Sequence, residues 1–152
     1  MTVIVTGVRF AVPGDYDAIA AVVDEWWGRP VLPSLPRLFL DHFHRTSFVA
    51  EGPGGGLAGF LVGLVSPSLP GEAYIHFVGV SPDVRAGGLG RRLYGRFFEL
   101  ARDRGCHVVR AITSPVNEAS IAFHRRLGFT ASPPVPGYNG PGNDLVTFSR
   151  PL

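Results

Sequence analysis

Residues 2–10 are rich in valine, with alternation clearest toward the end of the run, and read as a strand. Pro13-Gly14-Asp15 breaks it. Asp15 or Asp17 is placed to cap a helix running to about Trp27, with Ile19, Val22, Val23 and Trp26 on its apolar side. Gly28-Arg29-Pro30 stops that helix. A proline-punctuated stretch follows, then a second helix over roughly 36–44, a short strand at 48–51, a glycine-rich hairpin loop at 52–56 and a longer strand at 57–65. After a turn at 66–71 comes a β-branched and aromatic run, 74–80, expected as the central strand. Ser81-Pro82-Asp83 ends it, because Pro82 has no N–H for the ladder and Asp83 favours a turn.

Leu89, Leu93, Phe97, Leu100 and Ala101 then recur at helical spacing, and Gly105 stands where a C′ residue belongs. Residues 107–113 read as a buried strand. Asn117 is a good cap for a helix over 117–127, with Ala119, Phe123 and Leu127 among its apolar positions. Gly128 ends this helix and Phe129 starts the return. A proline- and glycine-rich tail over 130–142 leads to a last strand at 144–149. The order β-α-α-β-β-β-α-β-α-β, without internal repeats, is a mixed α/β fold.

Composition narrows the setting. At 152 residues the chain is expected to form one domain, 1–152, large enough to bury about 68–70% of its unfolded surface. A hydrophobic fraction of 45% with 17% charged residues excludes disorder. No apolar run is long enough to span a bilayer, and MTVIVTGVRF has neither the charged n-region nor the cleavage site of a signal peptide. Cys106 alone cannot form an internal disulfide, so a reducing, cytoplasmic setting is expected. A net charge of +2 is too slight for a nucleic-acid binder. All basic residues are arginine, and Arg85, Arg91, Arg92 and Arg96 cluster around Gly87, Gly88 and Gly90.

A glycine cluster between a strand and an amphipathic helix is an anion site, because the bare N–H groups of the helix start attract phosphate and glycine lets the ligand approach. A dinucleotide fingerprint needs a third glycine, where Leu93 stands. A Walker A loop needs a lysine, and the chain has none. What the residues spell is R-x-x-G-x-G, Arg85-Ala86-Gly87-Gly88-Leu89-Gly90, after a strand ending Val78-Gly79-Val80. A second pattern, N-x-x-S-x-x-F-H-x-x-x-G-F, spans Asn117, Ser120, Phe123, His124, Gly128 and Phe129.

Together these resemble the acetyl-CoA loop and motif B of the GNAT superfamily of N-acyltransferases, and the element order extends the resemblance over nearly the whole chain; before Phe48 it holds by pattern only. The resemblance implies a central, mixed, twisted sheet of about six to seven strands flanked by about four helices. It also implies acetyl transfer from acetyl-CoA to a primary amine by direct attack, through a tetrahedral intermediate. The cosubstrate contacts carry over to Arg85, Ala86, Gly87, Gly88, Leu89, Gly90 and Arg91 at the pyrophosphate. Val78, Gly79 and Val80 would serve the thioester and pantetheine by backbone, with Gly79 suited to a strand bulge. Asn117 and Phe123 would serve the pantetheine arm.

The chain departs from the family in two places. The motif B tyrosine, which often protonates the leaving thiolate, is His124 here; an imidazole of ordinary pKa near 6.5 can donate to a thiolate near 8.5, and an ordinary helix polar residue is the other reading. The glutamate that many members carry six residues before the strand-ending valine is Tyr74 here. His76 lies two residues on, on the same face by strand alternation, and resembles one of the histidine pair of arylalkylamine N-acetyltransferases. His76, with Tyr74 and a water chain, is the expected route for the amine proton; a packed sheet histidine is the alternative.

Trp27 is a candidate lining residue of the acceptor pocket, Trp26 a core residue. The 138–142 loop either reaches the acceptor or is a plain hairpin turn. Asp41, His42 and His44 share no helix face suited to a metal, so none is expected. A small amine or amino-acid derivative is the expected acceptor; a protein N-terminus or lysine is the alternative, and homodimerisation is compatible with such a domain. The rival class is a non-catalytic acyl-CoA-binding or sensing module, and a nucleotide-binding Rossmann-like domain is a third.

Overall fold

The computed structural model describes residues 7–152. The expected first strand is therefore seen from residue 7 onward, and 2–6 lie outside the described residues. The chain divides into two compact units: Met1–Leu64 with Ile75–Leu100, and Val65–Tyr74 with Ala101–Leu152.

The first unit contains β1 (Gly7–Phe10), α1 (Tyr16–Trp27), α2 (Leu38–Phe43), β2 (Phe48–Glu51), β3 (Leu57–Val65), most of β4 (Glu72–Val80) and most of α3 (Leu89–Asp103). Its strands run in the order β1-β2-β3-β4, with β1, β2 and β3 antiparallel. Gly28 ends α1 in the left-handed region at φ 74°. Ile19 and Val23 of α1, Leu35, Leu40 of α2, and Phe60 and Val62 of β3 form one core with Phe77 of β4. Each fully buried aliphatic or aromatic side chain there contributes about 1.5–3 kcal/mol. Helix α3 packs closely on β3 because β3 is bare at two positions of one face. A Cβ on Gly59 would lie 2.9 Å from the Leu89 side chain, and one on Gly63 would lie 2.3 Å from the Phe97 ring.

The second unit holds the first residues of β4, the end of α3, β5 (Val108–Thr113), α4 (Glu118–Arg126), β6 (Thr130–Ala131) and β7 (Val146–Pro151). Strand order here is β4-β5-β7-β6. The β4–β5 pair is parallel, from Glu72 opposite Val108 to Tyr74 opposite Arg110, and the others are antiparallel. The Arg110 Nε donates to Glu72 Oε1 at 2.9 Å across that register. Among the described residues there are seven strands and four α-helices, the mixed α/β architecture expected.

Several boundaries differ from the sequence reading. The second helix begins at Leu38 and passes into a 3-10 turn at His44–Thr46. β4 begins two residues earlier than expected, at Glu72, and β7 covers Val146–Pro151. On α4 the buried position is His124, while Ala119 faces solvent. The ring stacks flat on Phe148, 4.1 Å between centroids, and meets Phe129 edge-on.

Candidate functional site

Burial alternates strictly along β4: Ala73, Ile75, Phe77 and Gly79 face the core, while Tyr74, His76, Val78 and Val80 share the other face. The face predicted for Tyr74 and His76 is thus the observed one. The buried Gly79 has a packing reason the sequence did not reveal. A Cβ there would lie 2.5 Å from the Phe60 ring, so the missing side chain makes room for that ring.

Past Val80 the chain turns through Ser81, whose Oγ accepts from the Asp83 N–H at 3.3 Å. A 3-10 segment, Pro82–Gly87, follows, and Gly88 takes the left-handed conformation at φ 75° directly before α3. Any other L-residue would be strained there. Gly87 and Gly88 are exposed, and nothing lies within 4 Å of where a Cβ on either would sit. The helix start therefore offers the N–H groups of Leu89, Gly90 and Arg91 beside open space. This cradle fits a phosphate anion.

The arginines around the cradle divide into two kinds. Arg91 and Arg92, in the first turn of α3, are exposed to solvent. Arg85 instead donates through Nε to the Val80 carbonyl at 3.2 Å and through Nη2 to the Trp26 carbonyl. It ties the end of α1 to the end of β4. Arg96 donates to the Val8 carbonyl and lies over the rings of Phe10 and Phe48. Half of the expected cationic cluster thus holds backbone together.

His76 Nε2 lies 2.7 Å from the Ser34 carbonyl, an arrangement that requires the proton on Nε2 and makes Nδ1 the basic nitrogen. Phe39 stacks on the imidazole, 3.9 Å between centroids at 8°. Burial lowers the pKa below its ordinary 6.5, and the hydrogen bond to Ser34 opposes this in part. At neutral pH the ring is uncharged and competent to accept a proton. Nearby, the Trp27 indole N–H donates to the Val78 carbonyl at 3.3 Å. Its ring lies 4.8 Å from Phe77 and is 36% exposed, with the Arg29 guanidinium 5.8 Å from its centroid. Trp26 packs against the core, stacked on Phe60.

In the second unit, burial and then the nearby Tyr138 push the Tyr74 phenol up to about 12. Tyr74 therefore keeps its proton near neutral pH. Tyr138 sits on a loop closed by the Val135–Leu145 bridge and a Gly137 N–H bond to Asp144. Asn117 caps α4, its Oδ1 accepting from the Ser120 N–H at 3.1 Å. Phe123 is half-buried. His124 is only 6% exposed, its Nδ1 2.8 Å from the Ser120 carbonyl, and burial lowers its pKa. Cys106 is buried.

His44 Nδ1 bonds to the Leu40 carbonyl. Among the described residues no three histidine, cysteine or acidic side chains converge on a metal-sized position. Nor is any helix among them long and apolar enough to cross a membrane.

Known proteins resemble this chain in both fold and sequence. A GNAT-family protein of Desulfovibrio desulfuricans superposes with a TM-score of 0.79 at 21% identity, covering 99% of both chains. The protein yncA of Salmonella typhimurium, solved with its cofactor acetyl-CoA, superposes with a TM-score of 0.73 at 25% identity. That match covers 100% of this chain and 95% of the other. In sequence, the L-amino acid N-acyltransferase MnaT of Escherichia coli is 43% identical over 61 residues, 40% of this chain and 36% of that protein. A mycothiol acetyltransferase of Arthrobacter is 34% identical over 98 residues, 62% of this chain and 30% of that protein. The matched stretches thus span about a third of the length of these curated relatives. The family model described as acetyltransferase (GNAT) matches residues 16–129, which include the glycine cradle, β4 and α4. The chain belongs to the acetyltransferase (GNAT) family.

Proposed function

We propose that the protein is an acetyl-CoA-dependent N-acetyltransferase, residues 1–152 working as one catalytic domain, and that its acceptor is a small primary amine or amino-acid derivative. The observation that carries this reading is the strand–turn–helix from β4 to α3, where Gly88 turns the first N–H groups of α3 toward open space. Acetyl-CoA supplies the activated acetyl thioester. Gly87, Gly88, Leu89, Gly90 and Arg91 hold its pyrophosphate by backbone N–H and charge, with Ala86 between them and Arg85. Arg85 acts as a positioning residue through its bonds to Val80 and Trp26. Val78, Gly79 and Val80 serve the thioester arm by backbone, and Asn117 and Phe123 line its path.

The neutral amine attacks the carbonyl carbon: a C–N bond forms, the C–S bond breaks, one proton leaves nitrogen and one ends on sulfur. His76 takes the amine proton on Nδ1, since Nε2 is held by Ser34. General-base assistance of this kind contributes about 10²–10⁴-fold in rate. Tyr74 relays by hydrogen bonding, consistent with a phenol that does not ionise near neutral pH. The proton that ends on sulfur comes from solvent, because His124, the donor the motif offered, is buried against Phe148 with its pKa lowered and so carries no spare proton at neutral pH. Trp27, with Phe39 against His76, gives the acceptor an aromatic wall, which favours small amines with an apolar or aromatic part.

A second reading has one observation in its favour. The motif B tyrosine position is held by a histidine packed flat on Phe148, as expected of a non-catalytic acyl-CoA-binding module. Thiol release from acetyl-CoA, measured over a panel of amines, amino acids and N-terminal or lysine peptides from neutral to mildly alkaline pH, separates the possibilities. Turnover with a small amine supports the enzyme. Turnover with peptides alone moves the acceptor to protein. Calorimetric binding of acetyl-CoA without thiol release for any acceptor rejects catalysis.

A further inference from the structure

The second unit carries a groove of about 550 Å³ between the outer face of α4 and the segment after β6. Its α4 wall is made by Glu118, Ile121, Ala122 and Arg125, and residues 131–134 form the opposite wall. The spacing i, i+3, i+4, i+7 puts these four in one stripe along the helix. An acid stands at the N-terminal end, a base at the C-terminal end and two apolar side chains between. Glu118 and Arg125 are both exposed, and neither takes part in an ion pair among the described residues.

The sequence of this stripe is complementary to its own reversal. If a second α4 lies antiparallel to the first, with the two-fold axis between Ile121 and Ala122, then Glu118 meets the other copy's Arg125 and Arg125 meets the other copy's Glu118. Ile121 and Ala122 cover their counterparts. An interface of this kind is isologous, the pattern of C2 dimers. We propose that the occupant of the groove is a second copy of this chain, joined through antiparallel α4 helices. A stripe of this length gives a small interface, so the dimer belongs to the weak, concentration-dependent class. Its charge pairs lie at the solvent edge, so they fix orientation and specificity more than affinity.

The test uses sedimentation velocity on the full chain over a wide concentration series. The wild type is expected to pass from monomer to dimer, and Glu118→Arg and Arg125→Glu are each expected to lose the dimer, because each sets two like-charge pairs across the axis. Mixing the two variants in equal amounts is expected to restore a dimer, now a heterodimer. At one end the introduced arginine of the first variant then faces the introduced glutamate of the second, and at the other end the native Arg125 of the first faces the native Glu118 of the second. Circular dichroism of each variant alone shows that it is folded; a variant that fails this check is replaced by Ile121→Asp, expected to lose the dimer by burying an unpaired charge. A wild type that stays monomeric throughout overturns the proposal. So does a folded single variant that keeps the dimer, or a folded mixture that remains monomeric.

Discussion

The ring of Phe39 lies flat against the imidazole of His76, 3.9 Å between centroids at 8°, while the Ser34 carbonyl holds Nε2. A ring clamped on one face and tethered at one nitrogen keeps one tautomer and one orientation. That is what a base needs when the other nitrogen must meet a proton at a fixed place. Replacing His76 by Ala is expected to lower kcat by about 10²–10⁴-fold while acetyl-CoA affinity, read by calorimetry, stays unchanged. Equal loss of binding and turnover would move His76 out of the proton path.

The same residue sets the acid limb of activity. Burial lowers its pKa below 6.5, so the neutral form persists somewhat below that pH. The rate should hold as pH falls to about 6.5 and decline at lower pH as the ring gains a proton. A pH–rate profile with Phe39→Leu, which uncovers the ring, should move that limb toward higher pH.

His124 predicts a pH dependence of stability. Its pKa in the folded chain is depressed by burial, so the unfolded chain binds the proton more readily. Its stabilisation is complete above the ordinary value of about 6.5 and is lost as pH falls through the folded value. Urea midpoints for the wild type should drop between pH 7 and pH 5. In His124→Phe, which keeps the stack on Phe148, the drop should shrink to the part owed to His76.

At Gly79 an added methyl would sit 2.5 Å from Phe60 Cε1. Gly79→Ala should cost about 1–3 kcal/mol by overpacking, and Phe60→Leu in the same chain should return part of it. Chemical denaturation of the two single variants and the double measures the coupling.

Gly88 is constrained by backbone and not by crowding, since it lies at φ 75° with open space around it. Gly88→Val should abolish acetyl-CoA binding by displacing the first N–H groups of α3, with a smaller effect on thermal stability. An unchanged affinity would remove the cradle from the cosubstrate site.

What could be read from the chain follows where the information is local. β2 and β3 match residue for residue, because Gly52-Pro53-Gly54-Gly55-Gly56 punctuates them sharply. The alternation that placed Tyr74 and His76 on one face is likewise a property of the strand itself. The two-residue β6 was not foreseen, since Thr130 and Ala131 are strand only by pairing with Ser149 and Phe148. Arg85 and Arg96 read as anion-binding charges, but the carbonyls that receive them belong to Trp26, Val80 and Val8, and no spacing rule brings those near. The same holds for Gly59 and Gly63: their use shows only once α3 is laid across β3. The Ser34 tether on His76 lies 42 residues away in sequence and had no signal of its own.

The bonds from Arg85 to Val80 and Trp26 fasten a residue of the glycine turn to the ends of β4 and α1. An anchor of this kind restricts the turn in the folded chain itself. Fixing a backbone costs about 1–2 kcal/mol per residue in lost conformational freedom, and here that loss is incurred once, when the chain folds. It is not subtracted again from the affinity of each anion that the turn receives.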